Sequence, residues 1–367
     1  MPLMTRSRRP LILAVLAVLI APVIALPLVP YKTVSLQENR RLAPVPVLPR
    51  TASAWRTLPR AIDAWLADHF GFRDPVMRAA AKLQRRLGGE GAAATAVTGG
   101  QGQMFLVEGL LRSTGQEIDP ARAADYAAFV CQAAGKLKGA KVVASLAPSP
   151  AEIEPDLAPD WAGPAKSPTE YDLILQGLAR CGVAAVDLRP TLRAGRASGQ
   201  VYRQLDSHWS LRGSLLAYDR IVQAFGRPDW RIAPESLSWT TLPLDNGDLP
   251  RLAGQPPATE QVEIHDRTGL PPGAGRALLP GLEARAAQPF VVDTGKPGPT
   301  VLIIGDSFTA DPMPPYFAPF VGKVAWIHED RCAFDWRVVE QVKPDYVLFL
   351  PAAREAVCAG ARPAHFN

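Results

Sequence analysis

What most limits the fold of this chain is a series of short apolar runs, set between amphipathic stretches, from about residue 119 onward. "KVVASLAP" (141–148), "GVAAVDLRP" (182–190), "TVLIIGDS" (300–307), "KVAWIH" (323–328) and "DYVLFL" (345–350) read as buried strands. Their apolar residues are consecutive rather than alternating, which suits strands covered on both faces. Residues 121–138, 168–180, 211–225 and a segment near 334–342 carry helical spacing. Strands separated by helices indicate an α/β domain, with a mainly parallel sheet and helices on both faces. The Pro/Gly-rich stretch 227–299 is too long for a structureless connection in a compact domain. It is expected to hold further strands or a substrate loop.

The N-terminus bounds the compartment. "TRSRRP" precedes "LILAVLAVLIAPVIALPLVP" (11–30), which carries no charge and is long enough to span a bilayer. The preceding arginines favour a cytoplasmic N-terminus, which sends the remainder outward. A cleaved signal peptide, with Val23 and Ala25 at the −3 and −1 positions, is the alternative to an uncleaved anchor. Both readings place residues 31–367 outside the cytoplasm. Four cysteines, Cys131, Cys181, Cys332 and Cys358, fit an oxidising compartment. None stands in a CxxC pair and no histidine lies at zinc-finger spacing, so no structural metal site is expected. Three disulfide connectivities are open, and Cys131–Cys181 with Cys332–Cys358 is the first expectation. A hydrophobic fraction of 47% supports a sizeable core. The formal charge of +5 is not gathered into Lys/Arg runs interleaved with aromatics, so nucleic-acid binding has no support.

Between anchor and α/β region, a Pro-rich connection leads to helical spacing in 58–87, broken at Gly71 and Pro75, with a second helix expected from Asp74 to Leu87. An Ala/Gly-rich turn and a short strand near 103–107, expected as part of a hairpin, follow. Three regions result: 1–30 as anchor or signal segment, 31–118 as a helical and hairpin extension packing on the catalytic domain, and 119–367 as the catalytic domain.

Ligands of open parallel sheets bind beyond the carboxyl ends of the strands, and Ser307 follows such a strand at once. A serine hydroxyl becomes a nucleophile only beside a base. The chain offers five histidines: His69, His208, His265, His328 and His365. The best candidate stands in "YRQLDSHWSLRGS" (202–214), where Asp206 can fix the tautomer of His208 and Ser210 can cap the helix that begins at Leu211. Either motif alone is commonly just a turn or a helix cap. Together, in a chain so poor in histidine, they favour a Ser307–His208–Asp206 triad. The oxyanion candidates are the backbone N–H of Ser307 and the side chain of Arg354, just past the last strand. Asp306 is read as shaping the turn, Trp209 as core, and His69 and Arg73 as a helix-ending motif. Trp161 and Tyr171 are weak sugar-stacking candidates. His328 is a second possible base, and His265 and His365 look peripheral.

"GDSF" and "LDSHWS" resemble the two signatures of the SGNH-hydrolase-like AlgJ/AlgX alginate O-acetyltransferase family. "ENRRLAP" (38–44), "DHFGFRDP" (68–75), "VTGGQGQMFLVEG" (97–109), "VDLRP" (186–190) and "NGDLPRL" (246–252) follow the landmarks of that family in order. The resemblance covers roughly residues 36–354. It implies an SGNH-like fold in circularly permuted motif order, with DxH before GDS. It also implies Ser307 as acetyl-carrying nucleophile, His208 as general base and Asp206 as its orienter. No soluble cofactor is implied. The implied partners are a membrane-bound O-acyltransferase that brings the acetyl group and an exported polysaccharide that receives it, at the periplasmic face of the inner membrane. One departure is "APSPAEIEP" (147–155), where Pro150 replaces the usual lysine or polar residue and Ser149 remains as a donor. The resemblance implies a layout closer to the membrane-anchored AlgJ form than to AlgX, which carries an added carbohydrate-binding module.

Overall fold

The computed structural model describes residues 31–32, 34–35, 40–48, 55, 58–70, 73, 75–76, 95–266, 275–282 and 287–358. The apolar run 11–30, most of the helix expected over 74–87, and His365 lie outside the described residues. No described helix is long and apolar enough to cross a membrane. The chain divides into two compact units, Met1–Gly89 and Glu90–Asn367.

In the first unit, strands β1 (Val34–Ser35) and β2 (Arg40–Arg41) pair antiparallel, and helix α1 spans Leu58–His69. His69 ends that helix and is structural. Its ring stacks on Tyr31 and Trp65 and its nitrogens meet the carbonyls of Trp65 and Lys32. Arg73 donates to the Ala67 carbonyl, and Asp68 accepts from the Ala43 N–H.

The second unit begins with a hairpin, β3 (Ala96–Thr98) and β4 (Met104–Leu106), and helix α2 (Val107–Ser113). Helix α3 (Pro120–Lys136) follows. The Asp119 carboxylate caps its first turn by accepting from the N–H groups of Ala121 and Arg122, and Pro120 occupies the position where a missing N–H costs nothing. Next come β5 (Lys141–Ser145), α4 (Pro150–Ile153), α5 (Glu170–Arg180), β6 (Ala184–Val186), α6 (Arg189–Gly195) and α7 (Leu211–Ala224). The stretch 227–299 holds the hairpin β7 (Trp239–Leu244) and β8 (Glu260–His265), helix α8 (Leu249–Leu252), and strands β9 (Arg276–Leu278) and β10 (Phe290–Asp293). The chain continues through β11 (Thr300–Gly305), α9 (Ser307–Ala310), α10 (Met313–Phe317), β12 (Lys323–His328), α11 (Arg337–Val342) and β13 (Tyr346–Leu350).

The main sheet has the order β6-β5-β13-β11-β12-β10-β9. The five strands read from the apolar runs are parallel, whereas β10 and β9 add an antiparallel edge. Strand β11 shows why consecutive apolar residues are needed. Val301 and Ile303 enter one core with α7 and α10, while Leu302 and Ile304 enter another with α3, α5 and α11. All four are fully buried, as the two-residue period of a strand covered on both faces requires. Disulfides join Cys131 to Cys181, stapling α3 to the end of α5, and Cys332 to Cys358, beyond β12 and β13.

Candidate active site

The carboxyl ends of β5, β13 and β11 lie side by side and bring Ser149, Arg354 and Ser307 to one edge of the sheet. The turn after β11 is tight. A Cβ on Gly305 would lie 2.5 Å from Thr309 Oγ1 and 2.7 Å from the Leu350 carbonyl, so the backbone passes where no side chain fits. Asp306 does not face the solvent. Its buried carboxylate accepts from the Phe308 N–H at 2.9 Å and the Ala352 N–H at 2.7 Å. It thereby caps α9 and fastens the Ser307 turn to the exit of β13. Ser307 itself is exposed at the first position of α9, where a helix has no internal acceptor for the backbone N–H.

Residues 202–209 form a loop closed on itself by a bridge between Tyr202 and Trp209 and by the Arg203 N–H to His208 carbonyl bond. Two acids from the 227–299 stretch hold it. Asp248 accepts from both the N–H and the hydroxyl of Ser207 at 2.7 Å, and buried Glu260 accepts from the N–H groups of Gln204 and Leu205. Gly247 approaches so closely that a Cβ there would lie 2.2 Å from the Leu205 carbonyl. Trp209 is core, as expected, and its indole N–H donates to the Phe308 carbonyl at 3.0 Å, tying the loop to the Ser307 turn.

The two segments, ninety-nine residues apart, meet side chain to side chain. His208 Nε2 lies 2.8 Å from Ser307 Oγ, and His208 Nδ1 lies 2.7 Å from Asp206 Oδ1. Burial works against the Asp206 carboxylate, but the His208 hydrogen bond and the charges of His208 and Arg203 outweigh it and hold the group below the usual carboxylate range. An ionised carboxylate only accepts, so Nδ1 carries the proton. In the neutral imidazole Nε2 then presents its lone pair to the serine hydroxyl. Asp248 lies close enough that Asp206, His208 and Asp248 could each offer a ligand atom within 4.8 Å of the others, and all three side chains serve the hydrogen bonds just described.

Arg354 stands beside this chain. Its guanidinium lies 5.1 Å from the Phe308 ring centroid, pairs with Glu355 at 3.4 Å and is mostly buried. Phe308 also packs its ring 4.8 Å from that of His208. Arg354 and Ser207 line a small open cleft with Met104, Leu106, Pro148 and Ser149. Ser149 is the N-cap residue of α4, and its backbone N–H donates to the Glu152 carboxyl at 3.1 Å.

Residues 96–320, more than half of the chain, match the family described as SGNH hydrolase-like domain, acetyltransferase AlgX. The chain belongs to that family. No protein of curated function matches the sequence. Among solved structures, the O-acetyltransferase domain of Pseudomonas putida AlgJ is 16% identical, covers 74% of this chain and 95% of its own, and gives a TM-score of 0.48. A DHHW family protein from Eubacterium siraeum is 15% identical over 65% of this chain and 86% of its own, with a TM-score of 0.47. Bacillus cereus PatB1 with a sulfonyl adduct is 13% identical over 66% and 90%, also at 0.47.

Within this AlgX-type domain the other candidates fall away from the Ser307 edge or into structure. Tyr171 is buried, with its hydroxyl donating to the Leu146 carbonyl and accepting from the Leu188 N–H, so it offers no stacking face. Trp161 is partly exposed on a short helical turn. His328 ends β12 and packs its ring against Trp326. His265 is buried rather than peripheral, stacked on Tyr316 and hydrogen-bonded to its hydroxyl. Phe308, Asp248 and Glu260 belong to the site but were not singled out from sequence. The only signal for Asp248 was its place in "NGDLPRL".

Proposed function

We propose that this acetyltransferase-family domain is an O-acetyltransferase that modifies an exported polysaccharide through an acetyl-Ser307 intermediate. The observation that carries the reading is the continuous hydrogen-bond chain Asp206–His208–Ser307 at the open end of the sheet. In the first half-reaction His208 Nε2 takes the hydroxyl proton as Ser307 Oγ attacks the carbonyl carbon of an acetyl donor. Asp206 steadies the imidazolium. The tetrahedral oxyanion is met by the Ser307 backbone N–H and by Arg354, which lies on the same edge. Collapse breaks the bond to the donor oxygen, which leaves with the proton from His208. In the second half-reaction His208 takes the proton of a sugar hydroxyl, that oxygen attacks the acetyl-serine, and Ser307 departs with the proton restored. The cleft beside Arg354 is the place we assign to the acceptor sugar.

The donor partner is a membrane-bound O-acyltransferase, and the setting is the periplasmic face of the inner membrane, with residues 11–30 as anchor. These follow from the family and from the charge order of the N-terminus. No soluble cofactor has a step in this chemistry. An esterase reading has one observation in its favour, the exposure of Ser307, which leaves the acyl-serine open to water.

Incubation with an activated acetyl ester, followed by intact-mass and peptide mass spectrometry, should give one added acetyl on Ser307 in the wild type and none in Ser307→Ala. Equal labelling of the two proteins would remove the nucleophile assignment. Partition of the label between water and added oligosaccharide separates esterase from transferase.

A further inference from the structure

Beneath the Ser307 turn lies a second acid with no part in the scheme above. Glu329 follows β12 immediately. In the parallel ladder Gly305 pairs with His328, so Glu329 is next to Asp306, and its backbone N–H donates to the Gly305 carbonyl at 2.8 Å. Only 2% of Glu329 is exposed. One carboxyl oxygen accepts from the Cys332 N–H at 2.6 Å, and the other has no hydrogen-bond partner among the described residues. The titratable groups facing it are Asp306 from the end of β11, Glu355 from the turn after β13 and Asp330 beside it. From α3 comes Tyr126, whose buried hydroxyl is likewise without a partner and senses both Glu329 and Asp306. None of these supplies positive charge. The nearest arginine on α3 by sequence, Arg122, is committed to Glu170.

Two carboxylates cannot both ionise cheaply in such a place. Asp306 is the one already engaged, since both of its oxygens accept backbone N–H groups that shape the nucleophile's turn. We propose that Glu329 is a positioning residue for the reaction at Ser307. Held as a neutral acid, it leaves Asp306 the sole carboxylate under the turn, and loss of its proton loosens that turn and lowers the rate. This rests on Ser307 being the nucleophile. Burial, then the charge of Asp306, works against ionisation and pushes the carboxyl up to about 8, despite the Cys332 N–H.

The test is the rate of covalent labelling of Ser307 by phenylmethylsulfonyl fluoride against pH, in the full chain and in Glu329→Gln. In the wild type the rate should fall on the alkaline side, to roughly a tenth one pH unit above the Glu329 midpoint. Glu329→Gln should lack that fall. If the glutamine variant does not fold, Glu329→Met should show the same flat limb. If neither folds, wild-type protein carrying 13C-carboxyl glutamate should show one carboxyl titrating in step with the labelling rate. Superimposed wild-type and variant profiles, a wild type with no alkaline fall, or no carboxyl tracking the rate would each overturn the role of Glu329. Absence of label on Ser307 at every pH would sink the nucleophile reading itself, which is a distinct result.

Discussion

A serine hydroxyl with a histidine beside it is common. What distinguishes His208 is that its tautomer is dictated, because Asp206 can only accept. The value of Asp206 therefore lies in orientation as much as in charge. Asp206→Asn would keep the shape but offer an amide that can turn its NH2 toward Nδ1, moving the ring proton to Nε2 and blocking it as a base. A loss of roughly 10⁴-fold in kcat is expected, read as the rate of acetyl-Ser307 formation with little change in thermal midpoint. A loss under tenfold would mean that His208 does not work through Asp206. At this scale the sequence pointed to Ser307, His208 and Asp206, which the fold brings into one hydrogen-bond chain, because serine, histidine and acid types in short motifs are distinctive. Asp248 and Glu260 were not legible in this way. Their role is to hold the 202–209 loop across forty or more residues of chain, and an acid in a loop carries no mark of which N–H it will accept.

At the scale of the element, the Ser307 turn works because β11 ends where the backbone is crowded from two sides. Gly305→Ala forces a methyl into contact with Thr309 Oγ1 and the Leu350 carbonyl, both within 2.7 Å. Overpacking of this kind costs about 1–3 kcal/mol. The expected outcome is a lowered thermal midpoint together with weaker labelling of Ser307, because relief can come only by shifting β13 or α9. An alanine variant with wild-type stability and labelling would show that the turn yields freely. The five parallel strands were legible as consecutive apolar runs. Strands β7 and β9 were not, for physical reasons. "WTTLPL" carries Pro243, which cannot donate to a ladder, and most of it is exposed, while "RAL" is short and exposed throughout. Both strands are held by their partners β8 and β10, so their own composition says little.

For the whole molecule, the unusual feature is how many acids are buried against their preference. Burial pushes Glu152 and Glu154 up to about 7 and Glu329 to about 8, and in the first two nearby arginines only partly offset it. A carboxyl whose pKa is higher folded than unfolded binds its proton more tightly in the folded state. Its contribution to stability is full below the unfolded value and is lost as pH rises through the folded one. Asp206, Asp172 and Asp156 act in the opposite sense, and their contribution is complete once pH exceeds the ordinary aspartate range. Between about pH 5 and about pH 8 the raised carboxyls still change while the lowered ones do not, so the carboxyl contribution to stability should fall across that window, by about 1.4 kcal/mol for each unit of a single shift. Denaturant midpoints measured with both disulfides intact should be lower at about pH 8 than at about pH 5, and Glu329→Gln should flatten the alkaline part of the difference. A midpoint that is unchanged or higher at the alkaline end would mean that these carboxyls ionise without penalty where they sit, and that the interior beneath the Ser307 edge is wetter than its packing indicates.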